Sequence, residues 1–167
     1  MIMTRALLIL CLVALAGGQA LAQEPDALGT FNDWEAYAYK ANDAKVCFAF
    51  SKPTKSEASR KVRRDEVRFM VTNHTGQKVK GQVSTIIGYP FKEGSAVKLT
   101  IDETSFEMFP QGDMAWAGDS DKDIVAAMKA GSTMTLSGTS WKGTDTTDSY
   151  SLAGISAAID KINEACK

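Results

Sequence analysis

Short runs in which apolar and polar residues alternate fill most of the chain after residue 33. In "EVRFMVT" (Glu66–Thr72), Val67, Phe69 and Val71 fall on one face of an extended strand. Turn residues such as "NHTG" (Asn73–Gly76) separate the runs. Eight runs are predicted to be strands: Trp34–Tyr39, Lys45–Ser51, Glu66–Thr72, Val79–Phe91, Val97–Asp102, Ser105–Pro110, Ser132–Trp141 and Thr146–Leu152.

Short strands separated by turns fit a β-sandwich or a barrel. The chain has no strand–helix–strand repeat that would indicate a parallel sheet. We therefore expect a mainly β fold, an antiparallel sandwich of the immunoglobulin-like class.

Two segments instead repeat their apolar residues at helical spacing. Ser120–Gly131 is the first, and the side chain of Asp119 or Ser120 is predicted to cap it. Ile155–Lys167 is the second, and it places its isoleucines and Cys166 on one face. The fold should therefore carry two short helices, the last of them C-terminal.

The first 22 residues have the anatomy of a secretory signal. Arg5 precedes an apolar stretch, Ala6–Gly18, and the small residues of Ala20–Ala22 fit a cleavage site. The apolar stretch is too short for a stable transmembrane helix. We expect a cleaved signal peptide over residues 1–22 and a single domain over residues 23–167, exported to the periplasm, the outer surface or the medium.

The predicted export favours pairing of the cysteines. Outside the predicted signal the chain has two cysteines, Cys47 and Cys166. Two cysteines in an exported protein more often pair than stay free, so a disulfide is predicted. Two separate buried thiols are the alternative.

Charge and motifs exclude several classes of function. The formal net charge of −1 gives no field that would attract nucleic acid. His74 is the only histidine and its neighbours are turn residues, so neither a catalytic triad nor a zinc site is expected. The acidic stretch Asp119–Asp123 resembles a calcium loop, but Ile124 and Ala130 stand where the loop needs Gly and Glu. We expect no metal and no cofactor.

Two features could bind a partner. A basic run supplies Arg60, Lys61, Arg63 and Arg64, which could bind phosphates or another surface polyanion, although a solvated loop that leads into a strand is the favoured interpretation. Trp141 is predicted to be partly exposed beside the turn at Lys142 and Gly143. Trp34 and Trp116 are expected in the core instead.

Six segments together resemble one family of bacterial exported proteins. They are "KVCFAFSKP" (Lys45–Pro53), "IIGYPFKEGS" (Ile86–Ser95), "DMAWAGD" (Asp113–Asp119), "AAMKAGSTMTLSGTS" (Ala126–Ser140), "KGTDTTDSYSLAGISAA" (Lys142–Ala158) and "EACK" (Glu164–Lys167). In order and spacing they resemble the invasion-associated locus B family. The resemblance implies a single β-sandwich-like domain and, in pathogenic members, a part in entry into host cells (virulence). It carries over no catalytic residues.

These observations favour a non-enzymatic envelope protein that binds a protein or surface partner. The alternative is a periplasmic protein that binds a small lipid or sugar in a cleft between the sheets. A carboxylate-based hydrolase ranks third, because twenty acidic residues are available but no pair stands out.

Overall fold

The structure, a computed structural model, describes residues 24–167. The predicted signal peptide over residues 1–22 lies outside them. The strands are β1 Asp26–Phe31, β2 Trp34–Ala41, β3 Ala44–Ser51, β4 Lys55–Ala58, β5 Arg68–His74, β6 Val79–Ile86, β7 Val97–Ile101, β8 Thr104–Gln111, β9 Met114–Trp116, β10 Thr133–Thr139 and β11 Asp145–Ser151. The helices are α1 Asp121–Ala130 and α2 Ile155–Ala165, and a 3₁₀ turn, Gly118–Ser120, precedes α1.

The strands pair antiparallel in the order β1-β2-β3-β5-β6-β9-β8-β7-β10-β11-β4. Strand β8 turns the corner of this sheet. Its first five residues pair with β7, and its last three pair with β9. We call β1, β2, β3, β5, β6 and β9 the first half-sheet, and β7, β10, β11 and β4 the second.

The two half-sheets face each other across one core. The rings of Phe69 on β5 and Tyr150 on β11 lie 5.8 Å apart, and both side chains are fully or almost fully buried. The indole Nε1 of Trp34 on β2 donates a hydrogen bond to the Ser151 carbonyl on β11, at 3.0 Å. The expected mainly β, antiparallel fold with two helices, the last of them C-terminal, is confirmed.

Helix α2 closes the core beside the first half-sheet. Its buried residues Ile155, Ala158, Ile159 and Ile162 join the same cluster as Trp34. The predicted disulfide is present, because Cys47 on β3 is bonded to Cys166 just after α2, with the Cα atoms 6.0 Å apart. The bond therefore fastens the last helix to a central strand.

Three strands were not predicted. Strand β1 has a register shift between Ala27 and Gly29, β4 exposes every residue, and β9 has only three residues. The predicted strand Val79–Phe91 ends at Ile86, since Gly88 has φ +77 and breaks the extended chain.

The start of α1 also differs from the prediction. The Ser120 side chain makes no capping hydrogen bond. Instead the carboxylate of Asp121 accepts a hydrogen bond from the Val83 backbone N–H on β6, at 2.8 Å. Burial raises the pKa of Asp121, and the Val83 hydrogen bond opposes that rise. This contact ties α1 to the sheet.

Candidate partner-binding surface

The outward side of the first half-sheet is unusually rich in large apolar side chains. Trp34 and Ala36 on β2 point into the core, so their neighbour Tyr37 points outward. The same alternation places Phe48 and Phe50 of β3 on the outward side. We call the following residues the aromatic face: Tyr37, Tyr39, Phe48, Phe50, Met70, Trp116 and Phe109.

Strand register lines up part of this face into one row. Phe50 pairs with Met70, Met70 with Ser84, Ser84 with Trp116, and Trp116 with Phe109. Residues directly opposite each other in neighbouring strands point to the same side of a sheet. The row therefore crosses five strands, and four of its five members are large and apolar.

The members of the row shield one another from water. Ser84 is only 2% exposed although it points outward, and Phe50 is only 7% exposed. Phe50 also lies outside the core cluster that the two half-sheets share. Phe109 at the end of the row is 60% exposed. The face is thus a second layer of apolar packing with an exposed edge.

The aromatic rings on β2 and β3 form a stacked ladder. The ring centroid of Tyr37 lies 5.8 Å from that of Phe48 and also 5.8 Å from that of Phe50, with interplanar angles of 19° and 21°. Tyr39 meets Phe48 edge to face at 6.2 Å. Stacked and edge-to-face aromatic pairs add to the energy of burial, so these contacts stabilise the ladder.

A charged rim borders the ladder. The Arg68 guanidinium carbon lies 4.8 Å from the Phe50 ring centroid, in cation–π geometry, and its Nη2 donates to Glu66. That hydrogen bond lowers the pKa of Glu66. The Tyr37 hydroxyl donates to the Glu35 carboxylate at 2.7 Å, and this bond raises the pKa of Tyr37. The face therefore presents aromatic rings together with one cation held in place.

One of the sequence-predicted basic residues, Arg60, contacts the turn that carries a second exposed aromatic side chain, Trp141. Trp141 at the β10–β11 turn is 60% exposed, and the Lys142 ammonium lies 4.8 Å from its ring centroid. Arg60 Nη2 donates to the Gly143 carbonyl of the same turn, at 3.0 Å. Lys61 and Arg63 are exposed on the segment that carries Arg60.

Arg64, unlike these exposed residues, is largely buried. Its side chain is 11% exposed, and it forms a two-pronged ion pair with Asp148, which is fully buried, at 2.6 and 2.7 Å. Arg64 Nε and Nη2 also donate to the Ile87 carbonyl. Burial alone would lower the pKa of Arg64, but the hydrogen bonds and charge of Asp148 outweigh it and raise the pKa. Arg64 thus belongs to the interior, where it leaves little of its guanidinium for a partner.

The ion pair anchors a polar network between the half-sheets. Ser56 on β4 donates its hydroxyl to Asp148 at 2.7 Å. The Tyr89 hydroxyl hydrogen-bonds to the Thr146 hydroxyl, and the Arg64 guanidinium carbon lies 5.2 Å from the Tyr89 ring centroid. Tyr150 is nearby, and burial, with the Asp148 charge adding to it, raises the pKa of its hydroxyl. These contacts tie β4 and the loop around Tyr89 to β11.

The structure also places three other residues that the sequence singled out: His74, Trp34 and Trp116. His74 ends β5, where its Nδ1 accepts a hydrogen bond from the Gln77 backbone N–H at 3.2 Å. Trp34 is in the core as expected, but the core prediction for Trp116 is wrong because its strand register turns it onto the outward side. Within residues 24–167, no three His, Cys, Asp or Glu side chains come together as metal ligands would. In the same part of the chain, neither helix is long and apolar enough to cross a membrane.

A family model described as "Invasion associated locus B (IalB) protein" matches residues 34–163. The chain belongs to the invasion associated locus B family. The fold is also similar to the crystal structure of invasion associated protein B from Bartonella henselae, with a TM-score of 0.57 and 19% identity. That likeness covers 82% of this chain and 95% of the Bartonella chain. No match is found among curated proteins.

The aromatic face is the feature that sequence reasoning missed. In β3, "VCFAF" is apolar on both sides of the strand, and this pattern is the available signal. A strand with two apolar sides is usually buried on both. Only the order of the strands shows that the outward side of β3 belongs to an aromatic row.

Proposed function

We propose that this chain is a non-enzymatic, exported protein of the bacterial envelope that binds a protein partner through its aromatic face. The observation that carries the proposal is the row from Phe50 to Phe109, which crosses five strands on the outward side of the sheet. Phe109 exposes 60% of its surface at one end of this row, and exposed apolar groups beside a larger apolar patch are typical of interaction sites in soluble proteins.

The composition of the face supports a protein partner. Aromatic residues, Met and Arg are enriched at protein–protein interfaces, while Lys and Ser are depleted. The face combines tyrosines, phenylalanines, Trp116 and Met70 with Arg68 at the rim. A partner with apolar side chains and an acidic residue positioned for Arg68 would match it.

The compartment and the link to host cells are supported by separate observations. The Cys47–Cys166 disulfide and the predicted signal over residues 1–22 both favour export to the periplasm or the cell surface. The family and the Bartonella protein are named for invasion. We extend that role to this chain as an envelope function that supports adhesion or entry.

The small-molecule alternative would use a cleft between the half-sheets. Phe69, Tyr150, Leu136 and Met108 fill that space and are at most 1% exposed. This packing favours a partner on the outside of the sandwich over a ligand inside it.

The test is capture of a partner by the oxidised protein from envelope and host-membrane extracts. The variant Phe48→Ser/Phe109→Ser changes the aromatic face, and Trp141→Ser is the matched control, because Phe109 and Trp141 are both 60% exposed. We expect the double variant to lose a partner band that the wild type and the control retain. Equal capture by all three proteins would overturn the assignment of the face.

A further inference from the structure

A groove lined by lysines runs over the disulfide end of the molecule. Three hollows form it, with volumes of about 350, 250 and 360 Å³. The first is lined by the β5–β6 turn and by Cys166, the second lies between β6 and the two helices, and the third is lined by the β2–β3 turn.

The hollows are adjacent because they share lining residues. Lys80 and Asn163 line both the first and the second hollow. Thr75 and Lys167 line both the first and the third. The three hollows therefore form one continuous depression with the first in the middle.

The charge of this groove is strongly one-sided. Asp43 is the one acidic residue among the lining residues of the three hollows. The lining lysines are Lys40, Lys45, Lys78, Lys80, Lys122 and Lys167. Within the described chain, 24–167, none of the six has a carboxylate within 4.0 Å.

Several lysines outside the groove are paired with carboxylates. Lys55 pairs with Glu57, Lys129 with Asp160, and Lys161 with Glu164. Six unpaired lysines around one depression, with Asp43 as the one acidic lining residue, give the groove a positive potential despite the net charge of −1.

The floor of the groove is fixed by the fold. Asn73 is 4% exposed, and its side chain donates to Asn163 at 3.0 Å and accepts from the Gly81 backbone N–H at 2.8 Å. The Cys47–Cys166 disulfide fastens the end of α2 beside these residues. The lysine stems therefore project from a rigid base.

The chemistry of the lining selects the kind of ligand. The lysines are spread over three hollows, which suits an anion whose charges are spaced along a chain better than one compact phosphate. The lining includes Asn42 and Asn163, whose amides can hydrogen-bond to sugar hydroxyls, but no Phe, Tyr or Trp. Single-stranded nucleic acid is normally held by aromatic stacking, which this lining lacks.

We propose that this groove binds an extended, sulfated polysaccharide, with the lysine ammonium groups contacting successive sulfates. This site is separate from the aromatic face and does not rest on the proposed protein partner. A protein could use both sites at once, because they involve different residues.

The experiment measures binding of the oxidised protein to heparin, a sulfated polysaccharide, by titration. The variant Lys80→Ser/Lys122→Ser/Lys167→Ser removes cations from all three hollows. The matched control, Lys55→Ser/Lys129→Ser/Lys161→Ser, removes the same charge from lysines that are already paired. Since exposed ion pairs contribute modestly and add up, we expect at least about fivefold weaker binding for the groove variant and less than about twofold change for the control.

Further measurements separate this proposal from general charge effects. Lys40→Ser/Lys45→Ser, in the third hollow only, should also weaken binding, so that the conclusion does not depend on one variant. Desulfated heparin and single-stranded DNA should bind at least about tenfold more weakly than heparin. The proposal is overturned if the groove and control variants lose binding equally, if both groove variants bind like the wild type, or if either of the two other polymers binds as tightly as heparin.

Discussion

Replacing Arg64 should destabilise the fold, whereas replacing its neighbour Arg63 should not. Arg64 makes four hydrogen bonds to Asp148 and the Ile87 carbonyl, and Asp148 is fully buried. In Arg64→Ser the carboxylate of Asp148 loses its counter-charge and keeps one hydroxyl donor, Ser56. Arg63 is exposed, so Arg63→Ser serves as the control with the same change of charge.

The size of the effect follows from this burial. Removing one partner of a buried ion pair typically costs about 3–5 kcal/mol, because the other charge stays in a low-dielectric site. For a domain of this size, 1 kcal/mol corresponds to roughly 3–5 °C in Tm. We therefore expect Arg64→Ser to lower Tm by about 10–20 °C, and Arg63→Ser to stay within about 0.5 kcal/mol of the wild type.

Thermal and urea unfolding followed by circular dichroism would measure both variants. A second test replaces both charges, as Arg64→Met/Asp148→Leu. Because no unpaired charge remains, this double variant should be more stable than Arg64→Ser. The reasoning is refuted if Arg64→Ser unfolds within about 1 kcal/mol of the wild type, or if Arg63→Ser is equally damaging.

Three further changes test the architecture. Cys47→Ser/Cys166→Ser opens a link across 119 positions and should cost up to about 5 kcal/mol in urea unfolding, while unchanged stability would show that the bond adds nothing. Gly154→Ala should cost at least about 2 kcal/mol, because φ is +93 and a Cβ would lie 1.9 Å from the Phe31 carbonyl oxygen; a smaller loss would contradict that clash. Backbone hydrogen bonds from Thr133 and Ser132 lower the pKa of Asp102. Ionised Asp102 therefore contributes to the free energy of unfolding above about pH 4, and this contribution is lost as the pH falls further. Asp102→Asn should reduce the loss of stability at acid pH, measured as the free energy of unfolding against pH.

The alternation of apolar and polar residues was sufficient to predict the strands that have one buried side. Strands β5, β7, β10 and β11 alternate in burial and were predicted, as were both helices and the Cys47–Cys166 pair. Strand β4 shows no alternation because it exposes all four residues and is held only by pairing with β11. Such edge strands are decided by the tertiary fold rather than by their own sequence.

The candidate sites depend on contacts between residues that are far apart in the chain, and one sequence does not show these contacts. A run of four basic residues gave no sign that Arg64 is paired inside while Arg63 is exposed, because Asp148 lies 84 positions away. Trp116 looked like a core residue, and only its pairing with Ser84 and Phe109 turns it outward. The lysine groove likewise joins turns and helices that are far apart in the chain.

Site-specific photo-crosslinking tests the central claim most directly. A photoreactive phenylalanine analogue would replace Phe109 in one oxidised sample and Trp141 in another, since both side chains are 60% exposed. We predict one discrete crosslinked partner from position 109, competed away by unlabelled wild type but not by Phe48→Ser/Phe109→Ser, and no such product from position 141. A discrete partner from position 141 and none from position 109 would contradict it.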